Sequence, residues 1–92
     1  MKKDDNIMGV EDKIGISLLD NHIHLLSGEI NEETINEAIR WVIYENLSEN
    51  EKTLALYINS PGGDLNEAFG LIDIMRNSKH PIQTIGLGSV CS

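Results

Sequence analysis

The sequence predicts an α/β fold with a parallel βαβαβ core. Three mostly apolar stretches, residues 22–27, 54–59 and 82–87, are predicted as strands, and two segments with helical periodicity separate them. The strands lack the regular alternation of apolar and polar residues that is typical of a sheet with one solvent-exposed face. This favours parallel strands buried on both faces. Strands that alternate with helices form right-handed crossovers, so this order of elements predicts a parallel sheet.

Length, charge and cysteine count limit the class of protein. A chain of 92 residues forms one small domain, which buries roughly 60–65% of its unfolded surface and is marginally stable alone. A net charge of -8 argues against nucleic acid and anionic membranes as partners, and solubility explains it most simply. The single cysteine, Cys91, excludes an internal disulfide and fits a reducing compartment. Without a long apolar run or an apolar signal core, the chain is predicted to be cytoplasmic.

The first part of the chain carries the weakest structural signals. Residues 1–13 are polar and acidic without a sustained period, so they are predicted to form a flexible N-terminal arm. Ile14–Leu19 is predicted as a short strand that Gly15 weakens. Residues 22–27 form a better strand, which Gly28 ends.

The three histidines of the chain are considered as metal ligands and as catalytic bases. His22 and His24 share one face of their strand, but no third Cys, Asp or Glu follows at the spacing of a zinc ligand. We therefore expect no metal, and interpret both as partly exposed strand residues. His80 is expected to be exposed in the loop before the last strand.

Two amphipathic helices are predicted between the strands. The first begins after Asn31, a good N-cap, which two glutamates follow. Its apolar positions are Ile35, Ala38, Ile39, Val42 and Ile43, widened by Trp41 and Tyr44. The second helix, 65–77, carries Leu65, Ala68, Phe69, Ile72 and Met75 on one face, flanked by Leu71 and Ile74. Ordinary core packing explains the apolar face of the first helix most simply. The broader apolar coverage of the second helix predicts that it packs on the sheet and on something else.

The turn Ser60-Pro61-Gly62-Gly63, directly after the central strand, is the first candidate for a chemical role. Proline has no amide hydrogen and paired glycines adopt backbone angles barred to other residues, so the strand stops here. From Asp64 the period is helical, which places the glycines in a strand-to-helix turn. Free backbone amides in such a turn can hold an anion or a developing oxyanion.

The tail, residues 88–92, follows the last strand and is predicted to lie near this turn. Carboxyl ends of parallel strands emerge at one edge of the sheet, where open α/β folds place their sites. Amide donors beside Ser89, Cys91 and Ser92 are the arrangement that acyl transfer needs, and this pattern leaves the nucleophile open. All three histidines are predicted at other places, so the chain is not expected to build a Ser-His-Asp triad by itself.

Two segments carry a resemblance to a known family. Tyr57-Ile58-Asn59-Ser60-Pro61-Gly62-Gly63 with its helix, and residues 84–92, resemble ClpP, the proteolytic subunit of the ATP-dependent Clp protease, a peptidase family of the crotonase-like fold. The resemblance covers about Asn21–Ser92. It implies that Ser92 is the catalytic serine and that Gly63, with Gly62 in the same turn, forms the oxyanion hole. The family's Gly-x-Ala-Ala-Ser appears here with Val and Cys before the serine.

The resemblance also implies an organisation and a set of partners. Residues 14–92 would be the N-terminal part of a ClpP-like peptidase domain, incomplete at its C-terminus because the family's histidine, aspartate and handle helix have no counterpart. We therefore expect this segment alone to be inactive. The implied partners are copies of the chain in stacked heptameric rings, an AAA+ unfoldase of the Clp type, and unfolded polypeptide substrates. No cofactor is implied, because the unfoldase uses the ATP.

Two alternative interpretations fit some of these features. The chain could be a non-catalytic, ClpP-derived interaction subunit or a gene remnant, whose unpaired sheet edge demands a partner. A signal-peptide-peptidase-like or acyl-CoA-type member of the same fold fits the glycine turn, but fits the tail less well. Under every interpretation the exposed edge and broad apolar faces predict association.

Overall fold

The computed structural model describes residues 8–88 and confirms the predicted α/β architecture. Its elements are α1 (Val10–Asp20), β1 (Ile23–Ser27), α2 (Glu32–Asn46), β2 (Leu54–Asn59), α3 (Leu65–Arg76) and β3 (Ile82–Gly86). Within the described residues, none of these helices is both long and apolar enough to cross a membrane.

The three strands form one parallel sheet in the order β1-β2-β3, as predicted. In the register, Leu56 of β2 pairs with His24 on one side and with Thr84 on the other. Each strand therefore lies next to the one that precedes it in sequence, and a single helix joins each pair. All three strands end at the same edge, which we call the carboxyl edge.

The predicted strand at Ile14–Leu19 was wrong, because these residues belong to helix α1. A short apolar run does not distinguish a strand from a helix, and the β-branched isoleucines favoured the wrong choice. Two acidic residues, Glu11 and Asp12, lie in the first turn, where the helix dipole favours negative charge. The helix begins inside the stretch predicted as a flexible arm, 1–13; residues 1–7 of that stretch lie outside the described residues.

Helix α2 begins as predicted, at the Asn31 N-cap. The Thr34 amide donates to Asn31 Oδ1 at 2.9 Å, and the Asn31 amide donates to Thr34 Oγ1 at 3.0 Å. This reciprocal capping box satisfies two backbone donors that would otherwise have no partner. The buried face of the helix then packs on the sheet to form most of the core. The buried core consists of Leu26, Ile35, Ala38, Trp41, Val42, Leu54, Leu56 and Leu71.

The predicted inward face of α3 was only partly right. Leu71, expected at the flank, is the buried residue of this helix. Leu65, Phe69 and Ile72, expected to face the core, are exposed. Apolar residues surround most of this helix, so periodicity alone could not decide which side faces the sheet.

His80 is buried, at 4% exposure, and the prediction of an exposed loop residue was wrong. Its Nε2 lies 3.0 Å from the Ser48 carbonyl oxygen, in the connection between α2 and β2. The two connections pack together at the amino ends of the strands, where Asn46 Nδ2 also donates to Ser78 Oγ at 3.0 Å. A contact between segments this far apart in sequence leaves no local signal.

The core also contains a charge that the sequence analysis missed. Glu45 is fully buried on the inner side of α2, where its Oε1 lies 3.3 Å from Lys52 Nζ and 3.0 Å from His22 Nδ1. A buried carboxylate is tolerated when such partners offset its loss of hydration. Glu45 follows the buried positions Trp41 and Val42 at helical spacing, which was the available signal.

His24 gives the stability a predicted dependence on pH. Its ring stacks on the Trp41 indole with the ring centres 5.3 Å apart. Burial lowers the pKa of His24 below the ordinary 6.5, and the nearby Glu37 carboxylate opposes this shift. As the pH falls below 6.5, the unfolded chain therefore binds more protons than the folded chain, and the free energy of unfolding decreases.

We expect His24→Phe to reduce this acid sensitivity, because phenylalanine keeps the stacking and does not titrate. The measurement is urea unfolding at about pH 7.5 and about pH 5.5. Glu37→Gln is the matched variant with the opposite expectation: removing the carboxylate lowers the pKa of His24 further and increases the sensitivity. An unchanged pH dependence in His24→Phe would contradict the prediction.

Candidate active site

The chain reaches the start of the predicted tail at the carboxyl edge of the sheet. The Gly28 amide donates to the Asn59 carbonyl oxygen at 3.0 Å, and the Leu87 amide donates to that of Ile58 at 2.8 Å. Gly88 comes next: a Cβ on this glycine would lie 3.8 Å from Asn59 Oδ1. Leu87 and Gly88, which lead into the predicted tail, therefore lie beside the end of β2, where the glycine turn begins.

The glycine turn is attached to the segment that follows β1. The Ile30 amide donates to the Gly62 carbonyl oxygen at 2.9 Å, and the Asp64 amide donates to the Ile30 carbonyl oxygen at 2.9 Å. These two bonds form an isolated parallel bridge between Ile30 and Gly63. Backbone hydrogen bonds therefore hold the turn to the segment after β1.

This close approach explains why position 63 is glycine. A Cβ there would collide with the Ile30 carbonyl oxygen and lie 2.8 Å from the Ile30 nitrogen. Gly63 also has a φ of +147°, a conformation that other residues rarely adopt. The paired glycines thus allow backbone to pack against backbone.

Helix α3 begins immediately after the turn, with Asp64 as its N-cap. Asp64 Oδ1 accepts a hydrogen bond from the Asn66 amide at 2.9 Å. The N-terminal end of a helix carries a partial positive charge, so α3 adds a favourable field for an anion near the turn.

The hydrogen bonds distinguish the two glycine amides. The Gly62 N–H donates to Ser60 Oγ at 3.1 Å. Within residues 8–88, the Gly63 N–H donates no hydrogen bond. Of the two glycine amides in the described part of the turn, that of Gly63 is therefore the free donor.

The structure does not test where the predicted nucleophiles lie. Ser89, Cys91 and Ser92 lie outside the described residues. His22 and His80 precede β1 and β3, so they lie at the opposite edge, as predicted. Among residues 8–88, no three His, Cys, Asp or Glu side chains come together as metal ligands.

Comparison with known proteins identifies the family. A sequence model of the Clp protease family matches residues 8–92. The chain belongs to the Clp protease family.

Individual relatives agree with this assignment. The chain is 38% identical over 68 residues to the ATP-dependent Clp protease proteolytic subunit 2 of Treponema denticola, covering 74% of this chain and 34% of that protein. It is 34% identical over 79 residues to subunit 1 of Rhodopirellula baltica, covering 86% of this chain and 35% of that protein. The chain thus spans about a third of the length of these Clp protease relatives.

A solved structure shows the same fold. The crystal structure of the ClpP protease catalytic domain from Plasmodium falciparum superimposes with a TM-score of 0.80 at 34% identity. The alignment covers 90% of this chain and 47% of that chain. The parallel sheet of the described residues is therefore part of a Clp protease fold.

Proposed function

We propose that this chain belongs to a serine endopeptidase subunit of the Clp type, which hydrolyses peptide bonds of unfolded proteins. The observation that carries the proposal is the Gly63 amide, which has no acceptor among residues 8–88 and which Ile30 holds at the carboxyl edge beside the start of the tail. A preorganised amide donor at this position supports stabilisation of an oxyanion, the largest electrostatic contribution in acyl transfer.

The proposed mechanism assigns one role to each site residue. Ser92 Oγ attacks the peptide carbonyl carbon, and the carbonyl oxygen takes the negative charge of the tetrahedral intermediate. The Gly63 N–H donates to that oxygen, while Gly62 supplies the turn geometry. A histidine oriented by an aspartate, which Clp proteases carry after the nucleophile, takes the serine proton and returns it to the leaving amine. Collapse of the intermediate breaks the C–N bond and leaves an acyl ester on Ser92, which water hydrolyses with the same histidine as base. This route requires no cofactor.

The proposed assembly follows from the family membership. Copies of the subunit associate in stacked rings around a chamber, and a Clp-type AAA+ unfoldase consumes ATP to feed polypeptide into it. The exposed apolar residues Leu65, Phe69 and Ile72 of α3 support association, because a helix that keeps such a face in water gains from covering it. We propose the cytoplasm as the location, because a chain with a single cysteine fits a reducing compartment.

Covalent labelling of the naturally expressed protein tests this function. A fluorophosphonate probe reacts with activated serines, and peptide mass mapping then locates the modified residue. We expect one adduct for each chain, at Ser92. No adduct, or an adduct at Ser89, would contradict the assignment. Loss of activity on selective alkylation of Cys91 with iodoacetamide, in a protein that takes up no fluorophosphonate, would indicate a thiol nucleophile.

A further inference from the structure

One buried hydroxyl contacts the glycine turn at two points. Ser60 Oγ accepts the Gly62 N–H at 3.1 Å and donates to the Gly62 carbonyl oxygen at 3.3 Å. Ser60 is 2% exposed, so bulk water does not compete for these bonds. Both backbone polar groups of Gly62 are therefore tied to one side chain.

The orientation of one peptide group decides what the turn offers to a substrate. The Gly62 carbonyl and the Gly63 N–H belong to the same trans peptide group, so they point in opposite directions. The carbonyl oxygen accepts from the Ile30 N–H at 2.9 Å as well as from Ser60. Holding the carbonyl toward Ile30 and Ser60 therefore directs the Gly63 N–H to the other side.

Glycine on both sides leaves this peptide group free to rotate unless something holds it. Gly62 and Gly63 have φ angles of 119° and 147°, and neither carries a Cβ that would hinder a half-turn of the peptide plane. A flipped plane would present the Gly62 carbonyl oxygen in place of the Gly63 N–H. An oxygen at that position would repel an oxyanion, so the flip would remove the stabilisation.

We propose that Ser60 is a positioning residue for peptide hydrolysis: its hydroxyl holds the Gly62–Gly63 peptide group in the orientation that presents the Gly63 N–H. This inference rests on the proposed function, because it requires an oxyanion bound by Gly63. Ser60 is buried and acts through Gly62.

Ser78 provides a matched control at the opposite edge of the sheet. Its Oγ accepts the His80 N–H at 3.1 Å and donates to the His80 carbonyl oxygen at 2.8 Å, the same pattern two residues apart. Ser78→Ala therefore removes similar local bonds, together with the bond from Asn46 Nδ2, without changing the glycine turn. A purely structural role for Ser60 predicts that the two alanine variants behave alike.

The experiment compares Ser60→Ala, Ser60→Thr and Ser78→Ala in the naturally expressed protein. A short fluorogenic peptide gives kcat and KM, and a peptide boronic acid, which forms a tetrahedral adduct with a catalytic serine, reports binding of the transition-state geometry. For Ser60→Ala we expect kcat to fall roughly 10- to 100-fold with KM within about twofold. Boronate affinity should fall by the same factor as kcat/KM. Ser60→Thr, which keeps the hydroxyl, should recover most of the loss.

Several results would overturn the inference. One is a wild-type kcat in Ser60→Ala. Another is an increase in KM alone in that variant. The third is an equal decrease of kcat in Ser78→Ala. Failure of the proposed function itself looks different, because the wild-type protein would then neither hydrolyse the peptide nor bind the boronate. That result would remove the oxyanion site and the role of Ser60 together.

Discussion

Replacing Ser92 by alanine is expected to reduce peptide hydrolysis by at least about 10⁴-fold, because the attacking oxygen is removed. Assembly should be unchanged, since the substitution removes a single oxygen atom. The measurement combines hydrolysis of a fluorogenic peptide by the naturally expressed protein with sedimentation velocity. The remaining rate reports what the oxyanion donor and substrate positioning achieve without a nucleophile.

Ser89→Ala is the matched control for this variant, because it removes a hydroxyl from the same tail. We expect it to retain hydrolysis within about threefold of the wild-type rate. Equal hydrolysis by wild type and Ser92→Ala would exclude Ser92 as nucleophile and return Ser89 and Cys91 as candidates. Loss of assembly in Ser92→Ala would show a structural role for this serine.

Gly63→Ala is expected to lower kcat by about 10²–10³-fold, the loss that follows removal of one oxyanion donor. The added Cβ cannot occupy its ideal position beside the Ile30 carbonyl, so the bridge between the two segments must open. Opening the bridge moves the Gly63 N–H, although this backbone group is retained. The positive φ of a non-glycine residue adds a stability cost of about 1–3 kcal/mol.

Gly70→Ala separates this effect from a general intolerance of alanine for glycine. A Cβ at Gly70, in the middle of α3, would lie 3.6 Å from Ile39 Cδ1, an ordinary contact. We expect this variant to be more stable by about 0.5–1 kcal/mol, because alanine favours the helix. Its hydrolysis rate should not change. Gly63→Ala with a rate within about threefold of wild type would contradict the proposed oxyanion donor.

The sequence predicted the fold best where several local signals coincide. An apolar run, a Ser-Pro-Gly-Gly turn and a change to helical period follow one another at β2 and α3, and the structure confirms β2 at Leu54–Asn59. Such signals depend on backbone chemistry within a few residues. The fold class and strand order followed from this alternation and from the handedness of crossovers.

The errors at His80, Glu45 and α3 occurred where packing between distant segments decides the outcome. His80 is buried because the α2–β2 connection covers it, and Glu45 is tolerated in the core because Lys52 and His22 reach it. The burial of His80 has no local pattern, and for Glu45 the helical spacing from Trp41 and Val42 was the available signal. In α3, apolar residues lie on most sides, so packing against the sheet decides which face is buried.

In the candidate site, too, the features with a local sequence signal were predicted and those without one were missed. The glycines were found because Gly-Gly after a strand is a local signal with a chemical meaning. Ser60 was missed because its role depends on where its hydroxyl lies relative to the Gly62 peptide groups. A serine two residues before a glycine in a turn is a weak local signal for such bonding.

The parallel register has a consequence for the folding kinetics. Ile23 pairs with Ala55 and Leu54 pairs with Ile82, so each ladder joins segments separated by a whole helix. The entropy of closing loops of about thirty residues must be lost before the first ladder bonds form. Both ladders share β2, so neither can complete until that strand is placed. Sheet assembly is therefore the slow step, while α2, with its local capping box, can form transiently much earlier.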